Sequence, residues 1–278
     1  MDQYNDLTRG GWPLPIRPCT STTSIVSSWH SEIDVAFKET VLPAGRATVV
    51  VVTDNAGAAI GGWAVIHGPA SQPRTVCVPA KSRAVGVELA PGTVRDLGDG
   101  RVSAVADQPT PLDRVFQPTE VDALRMAIWN AESSAAARDA TVDFVARRFD
   151  SRSSPDRAFV LAAESMLTAG AGVASVAATL DVDRRLLAVL FRRQIGLGLK
   201  RYARVRRFER AVNAMRQRSA PSLAIIAIDC GYADQAHMTR DFASFAGFSP
   251  GTLHRTVGPT PMHVLHDETF KTAAAVPR

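Results

Sequence analysis

The chain has 278 residues, 46% hydrophobic and 21% charged, with a formal net charge of +5. That is enough chain for two domains with cores of their own. No apolar run approaches the ~20 residues of a membrane helix. Nor does the stretch from Met1 to Asp6 carry the basic and apolar regions of a secretory signal, so the expected location is the cytoplasm, at the nucleoid. The three cysteines, Cys19, Cys77 and Cys230, are odd in number and without metal-ligand spacing, which excludes a disulfide scaffold and a structural zinc site.

Residues 1–30 are rich in Pro, Ser and Thr, with Pro13, Pro15 and Pro18 close together, and read as extended and only partly ordered up to about Thr23. From Val35 to Leu89 short β-type runs alternate with turn signals. Val41-Leu42 stops at Pro43, with a turn at Ala44-Gly45. Thr48 to Thr53 is β-branched throughout and reads as buried on both faces. Asp54 to Gly57 turns the chain, and Trp63–His67, Thr75–Val78 and Ala84–Leu89 follow as strands. Runs at this spacing predict a small β-barrel or sandwich. His30 and His67 have no partner at metal-ligand spacing, Cys77 has no base nearby in sequence, and no strand leads into a phosphate-binding loop. Neither a metal, a cofactor nor a catalytic group is expected; a small ligand in the mouth of the barrel is compatible with this half.

From Thr119 to Phe149 the pattern turns helical. Thr119 is the predicted cap, with Glu120 and Asp122 near the positive helix end, and Val121, Leu124, Ile128, Val142, Val145 and Phe149 recur at helical spacing. The Ala-rich interval from Ser133 to Ala140 suits close helix packing, and a linking and dimerising role is expected. Ser151 to Pro155 reads as a linker ending in a helix start, with Ser154 as cap and Pro155 at the first helical position. The domains are therefore predicted as 1–115 (β-rich, regulatory), 116–154 (helical linker), 155–258 (all-α) and 259–278 (tail).

Charge separates these halves. Residues 1–156 hold 15 Lys and Arg against 18 Asp and Glu, whereas residues 157–257 hold 15 against 7. An excess of that kind points to a polyanion partner. A repeat lies inside the basic half. Phe191 to Gly196 matches Phe242 to Gly247 at an offset of 51 residues, which also sets Leu187 on Met238, Asp183 on Asp234 and Val182 on Ala233. Each copy reads as helix, tight turn, helix, the second helix capped by Asp183 or Asp234. Behind the caps Leu187, Leu190 and Phe191, and Met238, Phe242 and Phe245, form buried stripes. The opposite faces carry Arg184, Arg185, Ala188, Val189 and Arg192 in the first copy, and Gln235, Ala236, Thr239 and Arg240 in the second. Between the copies, Lys200 to Arg216 reads as one helix with Tyr202, Val205, Phe208, Val212 and Met215 inward. Arg201, Arg204, Arg207 and Arg210 form its basic side.

A helix-turn-helix places such an outer face in the major groove. There Arg pairs with guanine and Gln with adenine, and the methyls of Ala, Val or Thr meet thymine. Lys200, Arg201, Arg204 and Arg207 are the expected contacts to the DNA backbone. Two units on a rigid helix would stand about one turn of DNA apart, ~34 Å.

The stretch from about Pro155 to His254 resembles the arabinose-regulator/xylose-regulator (AraC/XylS) family of bacterial transcription factors. The likeness is carried by Leu190 to Gly196, Lys200-Arg201-Tyr202 with Arg206 and Phe208, Ala227 with Cys230 to Gln235, and Phe242 with Phe245 to Pro250. It implies seven helices with two helix-turn-helix units, and buried roles for Phe242, Gly247 and Pro250. Base readout by Arg185, Ala188 and Val189, and by Gln235, Ala236, Thr239 and Arg240, is implied likewise, and RNA polymerase as a partner. Ala188 and Val189 are short and apolar where family members often carry longer polar groups, and Leu199 stands where the family often has Pro. The β-rich half resembles sensor domains of actinobacterial members more loosely, through Leu42 to Gly45 before a Val-rich strand.

The sequence thus predicts an α+β chain and a sequence-specific transcriptional regulator rather than an enzyme. Its partners would be double-stranded DNA and, through the β-rich half, a small effector or a second copy of the chain. The alternatives are a DNA-binding module fused to a thiol-based repair-like enzyme, or an interaction adaptor with one working helix-turn-helix.

Overall fold

The computed structural model describes residues 24–54, 61–96, 105–149, 155–217, 221–255 and 263–265. The proline-rich stretch up to Thr23, Cys19, the turn after Asp54, the Ser154 cap and most of residues 259–278 lie outside them. Among the described residues, eight strands form two antiparallel sheets. They are β1 (Ile25–Ile33), β2 (Phe37–Val41), β3 (Thr48–Asp54), β4 (Gly61–His67), β5 (Arg74–Val78), β6 (Ser82–Leu89), β7 (Pro109–Pro111) and β8 (His263–Leu265). The five-stranded sheet runs β1-β6-β3-β4-β7 and the three-stranded sheet β5-β2-β8.

Side-chain alternation explains why the larger sheet is covered twice. Val49 and Val51 of β3, with Ala64, Ile66, Val85 and Val87, join one apolar layer. Val50 and Val52 join the opposite layer with Ile33, Val78 and Ala84, facing the smaller sheet. The expectation that β3 is buried on both faces is met, because a sheet sandwiched between two layers leaves no polar side. Between the sheets lies a cavity of about 120 Å³.

The first layer is completed by two helices, α1 (Pro118–Trp129) and α2 (Ser134–Arg148). Val121, Leu124, Ile128, Ala137, Phe144, Val145 and Phe149 bury themselves against the sheet. Phe116 meets Phe144 and Phe149 edge-on. Arg83 of β6 donates to the carbonyls of Ile128 and Ala131 at 2.9 and 2.8 Å, satisfying the end of α1. The helices expected to link the halves are therefore packed as an outer layer on the sheet. Two local expectations are corrected. Gln117, not Thr119, is the N-cap of α1, because Pro118 takes the first helical position. And β1 is a nine-residue strand in a stretch ahead of Val35, where the β-type runs were expected to begin. Its Ser27, His30 and Ser31 are buried, and such residues hide the alternation that would reveal a strand.

The basic half is helical: α3 (Pro155–Thr168), α4 (Val173–Thr179), α5 (Arg184–Gln194), α6 (Leu199–Met215), α7 (Leu223–Asp229), α8 (Gln235–Ala246) and α9 (Pro250–Arg255). One core gathers α3, α4 and α5 around Val160, Leu167, Val176, Leu187 and Phe191. A second gathers α6, α7 and α8 around Phe208, Val212, Ile226, Met238 and Phe242. The long helix α6 contributes to both, with Tyr202 in the first and Phe208 in the second. No helix among the described residues is long and apolar enough to cross a membrane.

Candidate DNA interface

Each repeat folds as a helix, a turn and a second helix, and the turns share one construction. In the first, the Val182 amide donates to the Ala177 carbonyl at 3.0 Å, and Asp181 adopts φ 49°. In the second, the Tyr232 amide donates to the Ala227 carbonyl at 2.9 Å, and Gly231 adopts φ 80°. These equivalences sit 50 residues apart, whereas the caps Asp183 and Asp234 sit 51 apart. The repeat expected to hold one offset in both directions therefore changes register at the turn. Ala233 is an extra residue, and Val182 corresponds to Tyr232.

Both predicted caps are in place. Asp183 accepts from the Arg185 amide and Asp234 from the His237 amide, each at 2.6 Å, which satisfies first-turn donors and sets a negative charge at the positive helix end. Behind the cap of α5, Leu187, Leu190, Phe191 and Gln194 are buried. Arg184, Arg185, Val189 and Arg192 are exposed and Ala188 half-buried. Leu186, which the sequence reading passed over, is 50% exposed beside Val189 at 51%. On α8, Met238, Phe242 and Phe245 are buried, and Gln235, Ala236 and Arg240 are exposed. Thr239 is half-buried, and its hydroxyl donates to the Gln235 carbonyl at 2.9 Å, which occupies its proton.

The basic side of α6 has a use that the sequence did not reveal. Asp241 of α8 is 2% exposed and accepts from Arg204 at 3.2 and 2.7 Å and from Arg207 at 3.2 Å. Arg204 also lies 5.0 Å from the centre of the Phe245 ring, and Arg207 4.4 Å from that of Tyr232. Arg207 donates to the Gly231 carbonyl at 3.2 Å, and Arg210 to the carbonyls of Cys230 and Leu167 at 2.9 and 2.8 Å. These guanidinium groups tie α8 and the ends of α7 and α3 to α6, closing helix-end carbonyls that would otherwise lack donors. Arg204 and Arg207, expected on DNA backbone, are thus engaged within the chain, while Lys200 and Arg201 are exposed. Burial raises the Tyr232 hydroxyl well above its ordinary value, with Asp241 adding to the effect, so this tyrosine stays neutral inside the clamp.

A second set of buried charges lies where α6 meets the β-rich half. Arg206 donates to Glu209 at 2.5 Å and to Thr168 at 3.1 and 2.9 Å. Thr168 and Tyr202 donate to Glu164 at 2.8 and 3.2 Å. The Gly45 amide donates to Glu209 at 3.2 Å, and Arg157 of α3 reaches the Thr93 hydroxyl at 2.9 Å. Burial holds the Glu209 carboxyl above its usual range against the pull of Arg206.

Two capped helices that bury one stripe and offer the other, on a shared basic scaffold, define a DNA-binding protein with two helix-turn-helix units. Residues 176–256 match the family described as "Helix-turn-helix domain", and residues 17–111 match "Domain of unknown function (DUF6597)". No curated protein matches. Among solved structures, the chain is similar to an AraC-type regulator from Chromobacterium violaceum (22% identity, 35% of this chain and 90% of that one, TM-score 0.33). It is also similar to the C-terminal domain of AraT, a response regulator from Geobacillus stearothermophilus (23%, 37% and 87%, 0.33). A third is an apo form of ToxT from Vibrio cholerae (10%, 86% and 98%, 0.44). Residues 176–256 are thus a helix-turn-helix domain, the kind of module that binds DNA.

Proposed function

We propose that α5 and α8 read two successive major grooves of an operator, with unequal sharpness. The observation that carries this reading is the chemistry of the two exposed faces. Arg240 and Gln235 can make bidentate hydrogen bonds to guanine and adenine, and the Ala236 and Thr239 methyls suit thymine. On α5, Arg185 is flanked by Ala188, Val189 and Leu186, so apolar contact with thymine methyls accompanies a single arginine contact, and Arg184 and Arg192 flank the groove. Lys200 and Arg201 at the start of α6 are the phosphate contacts, which position the domain and make affinity depend on salt. Arg204, half exposed beyond its bond to Asp241, adds to them, and Arg207 acts mainly as part of the clamp. The DNA-binding unit spans 155–258. The β-rich unit 1–115, with the helices of 116–154 as its outer layer, senses a small effector. A second copy of the chain and RNA polymerase are further partners that the family resemblance implies.

Selection of bound fragments from random DNA by the purified protein tests this reading. The expected site is asymmetric, with its sharper preference under α8, and footprinting protects two adjacent grooves. Arg240→Ala should cost ~1–3 kcal/mol of discrimination at one base position, while Arg201→Ala weakens all sites alike and lowers the salt slope by about one. Equal weakening on every site by Arg240→Ala would remove the base contact, and protection of a single groove would favour the adaptor.

A further inference from the structure

The duplicated unit is its own control. With the caps Asp183 and Asp234 as common origin, α5 and α8 correspond at an offset of 51 residues. On each helix the spacing of the residues sets one stripe opposite the buried one. In α5 that stripe is Arg185, Val189 and Arg192, with Leu186 beside it and one turn before Val189. In α8 the same positions hold Ala236, Arg240 and Ala243, with His237 in the place of Leu186. Leu186 is 50% exposed and Val189 51%. The fold does not ask for apolar side chains there. Arg240 stands exposed where Val189 does, and the His237 ring meets that of Tyr232 edge-on at 5.2 Å. A neighbouring leucine and valine held in the open, where the sister helix has a polar pair, serve the surface and not the core. Their surroundings say what covers them. Arg184, Arg185, Arg192 and Arg193 are exposed around the pair, and α5 has no acidic residue beyond its cap. Among the described residues no side-chain hydrogen bond or ion pair occupies these four guanidinium groups, whereas Arg204, Arg207 and Arg210 of α6 are engaged by Asp241 and by helix-end carbonyls. Free guanidinium groups around an apolar centre fit a polyanion.

We propose that Leu186 and Val189 read the C5 methyl group of a pyrimidine in the major groove, so that 5-methylcytosine serves at that position as thymine does. This rests on the reading of α5 as a helix that enters the groove. Side chains without a donor or acceptor cannot read the hydrogen-bonding pattern of a base edge. Over a polar edge they would strip its water and put nothing in its place. The groove offers them one apolar group, the methyl on C5, which thymine carries and cytosine gains on methylation. Arg185 completes the contact: four positions before Val189 on the same stripe, it can hold O6 and N7 of a guanine next to the methylated pyrimidine. Thymine and cytosine differ at position 4, an acceptor in one and a donor in the other, and neither Leu186 nor Val189 senses that difference. The α8 helix does not share this indifference, because Arg240 stands where Val189 does. Affinity therefore rises when a cytosine under α5 is methylated, an input that enters through the DNA and not through the β-rich half.

The test uses the full chain and the DNA fragment that it selects from a random, unmethylated pool. Loss of a guanine preference in Arg185→Ala marks the place of α5 on that fragment, and a fixed thymine should adjoin it. Each thymine in turn is replaced by uracil, which removes the methyl and keeps the hydrogen-bonding edge. Beside the marked guanine the Kd should rise about four-fold, which is the ~0.8 kcal/mol of one buried methyl group at about 1.4 kcal/mol per factor of ten. Cytosine and 5-methylcytosine, each opposite guanine, are then compared at the same position, and the methylated fragment should bind about four-fold more tightly. Both ratios should fall to unity in the double variant Leu186→Ala, Val189→Ala and persist in Arg240→Ala. The double variant should fold by circular dichroism, since both positions are exposed and alanine is the best helix former. A flat uracil scan beside the marked guanine, or ratios unchanged in the double variant, overturns the methyl readout. Equal binding of cytosine and 5-methylcytosine overturns the response to methylation and confines the readout to thymine. A wild type that selects no DNA overturns instead the DNA-binding reading on which the inference rests.

Discussion

Replacing Asp241 removes the one buried carboxylate that Arg204 and Arg207 share, without touching the exposed face of α8. The cost can be built from the geometry. Breaking a buried ion pair costs about 3–5 kcal/mol when the remaining charge stays buried. Here the Arg204 side chain is 46% exposed and that of Arg207 21%, so both recover part of their hydration. The expected loss for Asp241→Ala is therefore smaller, about 2–3 kcal/mol. Asp241→Asn keeps an acceptor but forfeits the charge, and since charge-assisted hydrogen bonds are roughly twice as strong as neutral ones, it should cost about half as much. Urea unfolding followed in two ways separates the halves. The chain has 4 tryptophans, Trp12, Trp29, Trp63 and Trp129, all ahead of the DNA-binding domain, so their fluorescence reports the β-rich half. Far-UV circular dichroism is weighted to the helices. The dichroism midpoint should fall with an unchanged slope and exceed any shift in fluorescence. A change under about 0.5 kcal/mol in Asp241→Ala, the scatter of ordinary surface substitutions, would refute the clamp.

The remaining expectations are simpler. Asp234→Ala, which deletes the side-chain acceptor for the His237 amide, should cost about 1 kcal/mol and fray the start of α8; full protection of the His237 amide in hydrogen exchange would argue otherwise. Because the folded chain raises the Glu209 carboxyl above its ordinary 4.5, the protonated form is the one favoured by folding. The stability this contributes is complete below pH 4.5 and is lost as pH rises through the higher folded value. Relative to Glu209→Gln, the wild type should lose stability as pH climbs out of that range, and parallel urea midpoints across the series would show that the shift is absent.

Much of the DNA-binding half was legible because its signals are local. A cap reads from Asp183 or Asp234 alone, and a stripe such as Met238, Phe242 and Phe245 reads from spacing of three and four. The β-rich half gave up its hydrophobic strands for the same reason. What local pattern could not supply was partnership. Arg204, Arg207 and Arg210 look in sequence like a solvated basic face ready for phosphate. Asp241, the acceptor shared by the first two, lies more than thirty positions along the chain from either, and nothing in its own neighbourhood marks it as buried. The extra residue Ala233 was masked by the strong match of the second helices, and only the two turn hydrogen bonds expose the change of register. Strand β1 hid because a buried serine or histidine in a sheet looks polar until its partner strand is known.

By itself the sequence determined that this chain carries two capped helices with polar outer faces on a basic α-helical domain, behind a β-rich half with an apolar interior. Spacing, capping residues and charge are properties of short segments, and short segments decide them. Only the tertiary structure decided how the halves are joined. Leu42 in the core of α6, Gly45 in its notch and β8 on the edge of β2 are contacts between residues far apart in the chain, and burial energy selects them after the local elements have formed.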